Sequence, residues 1–240
     1  MRTGHQTQTH ANERKRGVVM NRKILVSVLA AVWAILASPA SVADTSLGLR
    51  VGTLGGGVEL AHAFTETLGF RVSANGLHYN TTETYESVIY DSRLKLESGQ
   101  LLLDWFPFSN NFRISAGAMY NGNKYSLEGK PSAGGTFTIN GKTYTSSEIG
   151  SLNGKVDFRK VAPYFGLGYG RPVGRGLLLI GDLGVMFQGS PRTSLSVTCG
   201  ATTSCAQIQS DVAAEQNKLD DEMRNYRYYP VLSIGLAYVF

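Results

Sequence analysis

The C-terminal segment 226–240 alternates between two kinds of side chain. Its even positions are large and mostly apolar, from Tyr226 to Phe240, and its odd positions are mainly small or polar, such as Ser233 and Gly235. Successive side chains of a β-strand point to opposite faces, so the pattern predicts a strand with one apolar face. A membrane barrel turns such a face toward lipid and its small or polar face toward the lumen. This strand therefore predicts a barrel rather than a soluble sandwich.

Three other segments, 112–123, 161–170 and 177–188, repeat the alternation. Inward runs of glycine suit a narrow barrel, whose lumen has little room for side chains. After residue 43 no segment approaches the 18 consecutive apolar residues of a membrane helix, which excludes a helical membrane protein.

The lengths of the connections predict the topology. Short connections at 63–68, 107–111 and 172–176 alternate with long ones at 80–87, 127–154 and 190–225. Outer-membrane barrels combine short periplasmic turns with longer external loops. We therefore predict an all-β fold, a closed antiparallel up-and-down transmembrane barrel of eight strands with long external loops. The predicted strands are 46–53, 57–64, 69–80, 87–106, 112–126, 156–171, 177–190 and 226–240.

Several details of this prediction have alternatives. Residues 45–64 could form one long strand, with the missing pair supplied by the hairpin that the pattern predicts at 136–145 around Asn140-Gly141. We favour that hairpin as an extension of the rim outside the lipid. The apolar face changes parity near 98–99 and near 75–76, which predicts a β-bulge at each place. Residues 210–224 could be a short helix or a solvated loop.

An export signal precedes the barrel. A basic stretch at 21–23, an apolar stretch at 24–36 and the small residues Ser41-Val42-Ala43 predict cleavage after Ala43, with Met1 or Met20 as the start. Residues 1–43 are thus an N-terminal extension and signal peptide, and 44–240 are the outer-membrane barrel domain. Six of the 23 basic residues and one of the 18 acidic residues precede the cleavage site, so the remainder is formally neutral. The net charge of +5 therefore gives no argument for nucleic-acid binding.

On these features the chain resembles the small outer-membrane barrels of the OmpA, OmpX and OmpW type. The terminal Tyr238 and Phe240 resemble the C-terminal signal that the barrel-assembly machinery reads in its clients. The resemblance implies location in the cell outer membrane. Its implied partners are outer-membrane lipid and, during biogenesis, the assembly machinery and periplasmic chaperones.

Candidate sites follow from charge and residue type. Cys199 and Cys205 are exported, so a local disulfide is favoured over free thiols and over a metal site, for which no nearby His is available. We predict no metal and no cofactor. Aromatic residues near strand ends predict interfacial girdles: Trp105, Phe106, Phe108, Tyr164, Phe165, Tyr228, Tyr238 and Phe240. Charged residues on the predicted lumen face form a candidate network: Arg50, Glu59, Arg71, Asp104, Arg113, Asp182 and Arg227.

Charges in a narrow lumen must pair or be hydrated, because isolated buried charge is very costly. This favours a plug of salt bridges over a path for solutes. The predicted function is a structural or surface-interaction role, with or without passage of small solutes. The alternative is a small porin-like channel for hydrophilic molecules. A lipid-modifying enzyme is disfavoured, because only His62 and His78 could serve as a base after the cleavage site and no motif joins either to Ser87.

Overall fold

The computed structural model describes residues 44–201 and 205–240. The predicted signal peptide, its cleavage after Ala43 and the start at Met20 lie outside these residues. The described residues form thirteen strands and one helix: β1 Thr45–Gly52, β2 Gly55–Ala63, β3 Leu68–Tyr85, β4 Val88–Trp105, β5 Phe112–Asn121, β6 Lys124–Pro131, β7 Thr136–Ile139, β8 Lys142–Thr145, β9 Ile149–Asp157, β10 Val161–Tyr169, β11 Gly176–Phe187, β12 Arg192–Cys199, α1 Cys205–Met223 and β13 Tyr228–Val239. Within the described ranges, no helix combines the length and apolar character needed to cross a membrane.

Eight of the described strands close into a ring. Their order is β4-β3-β2-β1-β13-β11-β10-β5, and β5 pairs back with β4. Every pairing in the ring is antiparallel. The predicted closed up-and-down barrel of eight strands is therefore confirmed. The separate strands β1 and β2 show that the alternative of one long strand over 45–64 is wrong.

The outer wall of the ring is apolar. On β13, Leu232, Ile234 and Leu236 are 57%, 59% and 57% exposed, whereas Val231 and Ala237 beside them are buried. The same arrangement recurs on β4, where Leu101 and Leu103 point outward. A continuous apolar wall would be unfavourable in water, so this is the wall of a transmembrane barrel.

Two ring strands, β3 and β4, continue past the barrel, and the separate strands β6, β9 and β12 join them in an open sheet. β5 and β6 keep one register along β4, and β9 and β10 keep one register along them. β12 follows β11 and pairs with β9. We call the continuation of β3 and β4 together with β6, β9 and β12 the external sheet. Much of the predicted loops 80–87 and 127–154 is therefore strand, because the ladder simply goes on where the lipid ends.

The two predicted β-bulges are wrong. β3 keeps a continuous register with β2 and with β4 through both positions. On β4 the outward residues change from Leu101 and Gly99 to Glu97 and Lys95 without a change of face. The pattern shifts parity because the surroundings change. Beside lipid the outward face is apolar, while in the external sheet the outward face of β4 meets water and its other face is covered at Val88. On β3 the inward-facing Leu77 and Tyr79 are 39% and 59% exposed, so there both faces of the external sheet meet solvent.

The covered face of the external sheet packs against the β7–β8 hairpin and α1, which together we call the external cap. The hairpin turns at Asn140 and Gly141 with φ of 52° and 78°, as an Asn-Gly turn favours, so its prediction is confirmed. The predicted helix is also confirmed and begins earlier, at Cys205. The buried residues of this second core are Val88, Phe137, Ile139, Tyr144, Ile149, Ile208 and Val212.

Candidate functional site

Six side chains from six strands meet inside the barrel. Alternation turns Arg50 of β1, Glu59 of β2 and Arg71 of β3 inward at one level. Asp104, Arg113 and Asp182 come from β4, β5 and β11 to the same place. We call these six residues the charge layer. Each is at most 6% exposed, so the layer is closed off from solvent.

The charge layer is a continuous ion-pair network with three cations and three anions. Arg71 bridges three carboxylates: its Nη1 lies 3.1 Å from Glu59 Oε2 and 3.0 Å from Asp182 Oδ2, and its Nε lies 2.6 Å from Asp104 Oδ2. Arg50 Nη1 lies 2.6 Å from Glu59 Oε2. Because the charges balance and each ion has a partner, the burial of all six is tolerated.

Asp182 is the carboxylate shared by all three arginines. Its oxygens lie 3.2 Å from Arg50 Nη2, 3.0 Å from Arg71 Nη1 and 3.0 Å from Arg113 Nη2. Arg113 is further held by the backbone carbonyls of Tyr169 and Gly170, to which its Nη1 donates. Its guanidinium packs against Gly168, where an added Cβ would come within 2.6 Å of Nε. The glycine leaves the space that the guanidinium occupies.

An apolar layer fills the lumen on the side of the external sheet. Some members lie two to six residues from a charge-layer residue on the same strand, as Leu102 does from Asp104 and Met119 from Arg113. Others come from β10 and β13. The Tyr164 side chain lies over the inner wall of β10 and β11, where an added Cβ at Gly166 or Gly184 would collide with its hydroxyl. The buried members of this layer are Leu54, Leu102, Met119, Ala162, Tyr164, Met186 and Val231.

The two layers together fill the lumen at successive levels. An eight-stranded barrel is just wide enough for side chains to fill it, and here every strand contributes inward groups. Water crossing the lumen would have to pass both a close-packed apolar layer and a charge-balanced layer whose groups already bind one another. This arrangement suits structural closure and offers no activated nucleophile or general base.

Arg227 does not belong to the charge layer, and its assignment there is a correction. It lies in the turn before β13, is exposed, and donates from Nε to the carbonyl of Arg224. The predicted strand began at Tyr226, but β13 begins at Tyr228. The prediction placed Arg227 inside because it is an odd-numbered position, like the lumen-facing residues of β13. Since it lies before the first residue of that strand, the alternation does not apply and its side chain is in solvent.

Two predicted girdle aromatics are also corrected. Phe106 and Tyr164 are 1% and 3% exposed, so they fill the interior instead of meeting lipid. Trp105, Phe108 and Tyr238 at one end of the barrel, and Phe165 and Tyr228 toward the other, are about half exposed or more and do face outward. Phe240 lies after β13 against Tyr238, with the ring centroids 5.6 Å apart.

The histidines are not brought together with a nucleophile. The ring of His62 pairs with Thr45 Oγ1 at 2.9 Å, and His78 Nε2 lies 3.3 Å from Glu97 Oε1. Ser87 lies at the far tip of the β3–β4 turn, about 25 Å further along the extended strand from His78. In the described residues no cluster of three or more His, Cys, Asp or Glu side chains is arranged to hold a metal ion.

A second polar centre, which sequence patterns did not indicate, holds the external cap together. Asp211 of α1 is 4% exposed and accepts hydrogen bonds from Tyr144, Lys142, Asn140 and Gln207. The hydrogen bond from Tyr144, followed by those from Lys142 and Asn140, lowers the pKa of Asp211 well below its ordinary value. The same bond raises the pKa of Tyr144 to about 12.

A disulfide joins Cys199 at the end of β12 to Cys205 at the start of α1, with their Cα atoms 5.8 Å apart. It closes the connection between the external sheet and the helix. A further link is the hydroxyl of Thr193 on β12, which donates to Asp220 Oδ1 of the helix. The cap is thus fastened to the sheet at both ends of α1.

Comparisons with known proteins agree with this architecture. No family model matches the chain, and neither does any curated protein. Among solved structures, the crystal structure of CarO2 from Acinetobacter baumannii has a TM-score of 0.55 at 20% identity, over 82% of this chain and 98% of that one. The fold is that of a small outer-membrane β-barrel.

The structure of CarO from the same organism agrees, with a TM-score of 0.54 at 21% identity over 81% of this chain and 97% of that chain. A major outer membrane protein from Thermus thermophilus is a weaker match, with a TM-score of 0.39 at 14% identity over 82% of this chain and 97% of that chain. Identities at this level show the fold alone.

Proposed function

We propose that this chain is a non-conducting outer-membrane barrel that displays its external sheet and external cap at the cell surface, in a structural or surface-interaction role. The observation that carries the proposal is the filled lumen. The charge layer and the apolar layer occupy the interior at successive levels, and the buried members of both are at most 6% exposed.

The external sheet and the external cap, together the external part of the molecule, support the surface role. This part is a built structure with its own core, a disulfide and a buried carboxylate at its centre. A loop that only connected two strands would not need these features, since loops are tolerated as irregular surface segments. The external part therefore offers a defined surface to molecules outside the cell.

Reconstitution in planar lipid bilayers tests closure. The purified protein should give no discrete openings, while a conducting porin inserted in parallel should give them. Discrete, reproducible openings from the protein would refute the closed barrel and favour the alternative, a channel for small hydrophilic molecules.

Labelling with a membrane-impermeant maleimide tests location and orientation. Lys218 of α1 has a side chain that is 58% exposed, and Val173 in the short β10–β11 turn is 47% exposed at the opposite end. Lys218→Cys should be labelled on intact cells, and the matched control Val173→Cys should be labelled only after the outer membrane is permeabilised. The reverse pattern would show that the barrel is inserted the other way round.

A further inference from the structure

The outward face of the external sheet carries a concentration of positive charge next to the apolar wall. Strand register defines two rows there. The first row runs His78, Lys95, Lys124, Asp157 and Arg192, and each residue is directly opposite the next. The second row, one step further from the barrel, runs Asn80, Arg93, Ser126, Lys155 and Ser194.

These rows are cationic, and the next row is not. The two rows hold Arg93, Lys95, Lys124, Lys155 and Arg192, which we call the basic patch. The third row runs Thr82, Asp91, Glu128, Asn153 and Ser196 and carries only acidic charge. Most cations of this face therefore lie in the two rows nearest the barrel, and Lys130, one row beyond the acidic row, is paired with Glu128 at 2.9 Å.

The basic patch is only partly neutralised by the protein. Lys95 Nζ lies 2.7 Å from Glu97, and Lys124 Nζ lies 3.9 Å from Asp157. Among the described residues, no carboxylate lies within ion-pair distance of Arg93, Lys155 or Arg192. With five cations and two carboxylates within ion-pair distance, the patch keeps an excess of positive charge, which Asp91 and Glu128 of the third row offset only in part.

Two cations of the patch face each other across neighbouring strands, although each also has a carboxylate nearby. Lys95 and Lys124 are directly opposed on neighbouring strands. Like charges in that position repel, because directly opposed side chains have Cβ atoms about 5 Å apart. Their side chains are 42% and 52% exposed, so an external anion can reach both.

The position of the patch selects the anion. On β4 the outward residues run Trp105, Leu103, Leu101 and Gly99 and then become charged from Glu97 onward. The hydrocarbon of the membrane therefore ends close to Gly99, and Lys95 lies one outward step beyond Glu97. The headgroup layer on each side of a bilayer is about 5 to 8 Å deep. The backbone of Lys95 lies about 10 Å beyond Gly99 along the membrane normal for a strand tilted by about 40°, so its long side chain can reach back to the outer edge of the headgroups.

We propose that the basic patch binds the phosphate groups of a phosphorylated lipid in the adjacent membrane leaflet, whose acyl chains lie along the apolar wall below. This inference rests on the membrane-spanning orientation of the proposed function. Phosphate oxygens would accept hydrogen bonds from the ammonium groups of Lys95 and Lys124 and from the guanidinium of Arg93. The bound lipid would relieve the repulsion between the two lysines and fix the outer edge of the barrel in the leaflet.

Titration of the purified full-length mature protein in non-ionic detergent with bisphosphorylated lipid A, followed by native mass spectrometry, tests the proposal. The patch variant is Lys95→Gln, Lys124→Gln and Lys155→Gln. Its matched control removes three exposed cations elsewhere, by Lys130→Gln, Arg175→Gln and Arg224→Gln. We expect the patch variant to bind lipid A about 100-fold more weakly, at about one tenfold step for each 1.4 kcal/mol and roughly 1 kcal/mol per cation. The control should bind as the unmodified protein does.

Two further titrations decide the source of the anion. Dephosphorylated lipid A should bind weakly to every variant, and inorganic phosphate should not compete at concentrations comparable to the lipid. Equal binding of the patch variant and the unmodified protein, or equal binding of dephosphorylated lipid, would overturn the proposal. Strong competition by inorganic phosphate would also overturn it, because the patch would then be a site for a soluble anion.

Folding and closure are checked on the same preparations. The patch variant should keep heat-modifiable migration on a denaturing gel. If the patch variant does not fold, the affinity of the unmodified protein for lipid A is measured at low and at high salt instead. Salt screens exposed charges, so an affinity that does not change with salt would contradict a site built from exposed cations. If the unmodified protein neither binds lipid A nor conducts ions in a planar bilayer, the lipid site is refuted and the proposed closed barrel stands. If it binds lipid A as expected but conducts ions, only the closure of the barrel is refuted.

Discussion

Replacing Asp182 with Asn removes the carboxylate on which three arginines converge. Asp182→Asn keeps the shape of the side chain and its capacity to accept a hydrogen bond, so the change is mainly one of charge. The charge layer would then hold Arg50, Arg71 and Arg113 against only Glu59 and Asp104. One buried positive charge would be left without compensation.

The expected cost follows from that imbalance. Removing one partner of a buried ion pair destabilises a protein by about 3 to 5 kcal/mol, because the remaining charge stays desolvated. The exposed pair of Lys124 and Asp157 provides the control, since Asp157 is about half exposed and lies 3.9 Å from the ammonium group. Asp157→Asn should cost less than about 1 kcal/mol, as exposed pairs do.

A second substitution should recover part of the loss. Arg50→Gln together with Asp182→Asn restores neutrality and leaves Arg71 within 3.1 Å of Glu59 and 2.6 Å of Asp104. We therefore expect the double variant to be more stable than the sum of the two single changes by about 0.5 to 3 kcal/mol, the usual range for residues in one network.

Urea unfolding in phospholipid vesicles measures these differences. Trp105 is the only tryptophan in residues 44–240 and faces lipid, so its emission reports on insertion of the barrel. With a slope of about 2 kcal/mol per molar urea, the midpoint for Asp182→Asn should fall by about 1.5 to 2.5 M. A fall no larger than that of Asp157→Asn, or a double variant that is only additive, would show that the charges are hydrated independently and would refute the network.

Two further predictions concern the lumen and the external cap. Gly184→Val should prevent formation of the heat-modifiable barrel, because the valine side chain would collide with Tyr164. The control Gly181→Val places the same side chain on the open outward face and should fold. Normal folding of both variants would contradict the close packing of the apolar layer. Tyr144 should ionise near pH 12 in an ultraviolet difference titration against Tyr144→Phe, and nearer pH 10 in an Asp211→Asn background. Because its pKa is raised on folding, the stability that this tyrosine adds is present below pH 10 and is lost as the pH rises toward 12; an unchanged titration in Asp211→Asn would show that Asp211 is not the cause.

The barrel could be predicted from the sequence because alternation has a direct physical cause. Each strand between lipid and lumen must place apolar groups on one face and small or polar groups on the other, and the residues of β13 show this without reference to any other strand. The same reasoning placed Arg50, Asp104 and Asp182 on the inward face. Parity gave the face correctly for these residues, which lie inside strands, and it misplaced Arg227, which lies beyond one.

The external sheet shows why the rest could not be predicted. The change of parity at Glu97 on β4 has two possible causes, a slip of the strand or an exchange of the surroundings of its two faces. The sequence contains the change and not its cause. The residues that cover the inner face, among them Ile208 and Val212, are distant in the sequence, so their presence becomes visible only when the chain is folded.

The sequence by itself determined which side of the membrane strands meets lipid and predicted eight of them, because both follow from local alternation and the spacing of turns. That residues 45–64 form two of those strands became visible only in the structure. Only the tertiary structure decided what the inward groups do. Whether Asp182 faces water or three arginines depends on strands that are far apart in the chain, and electrostatic pairing acts through space. The same holds for the basic patch, which exists because strand register brings Lys95 and Lys124 side by side.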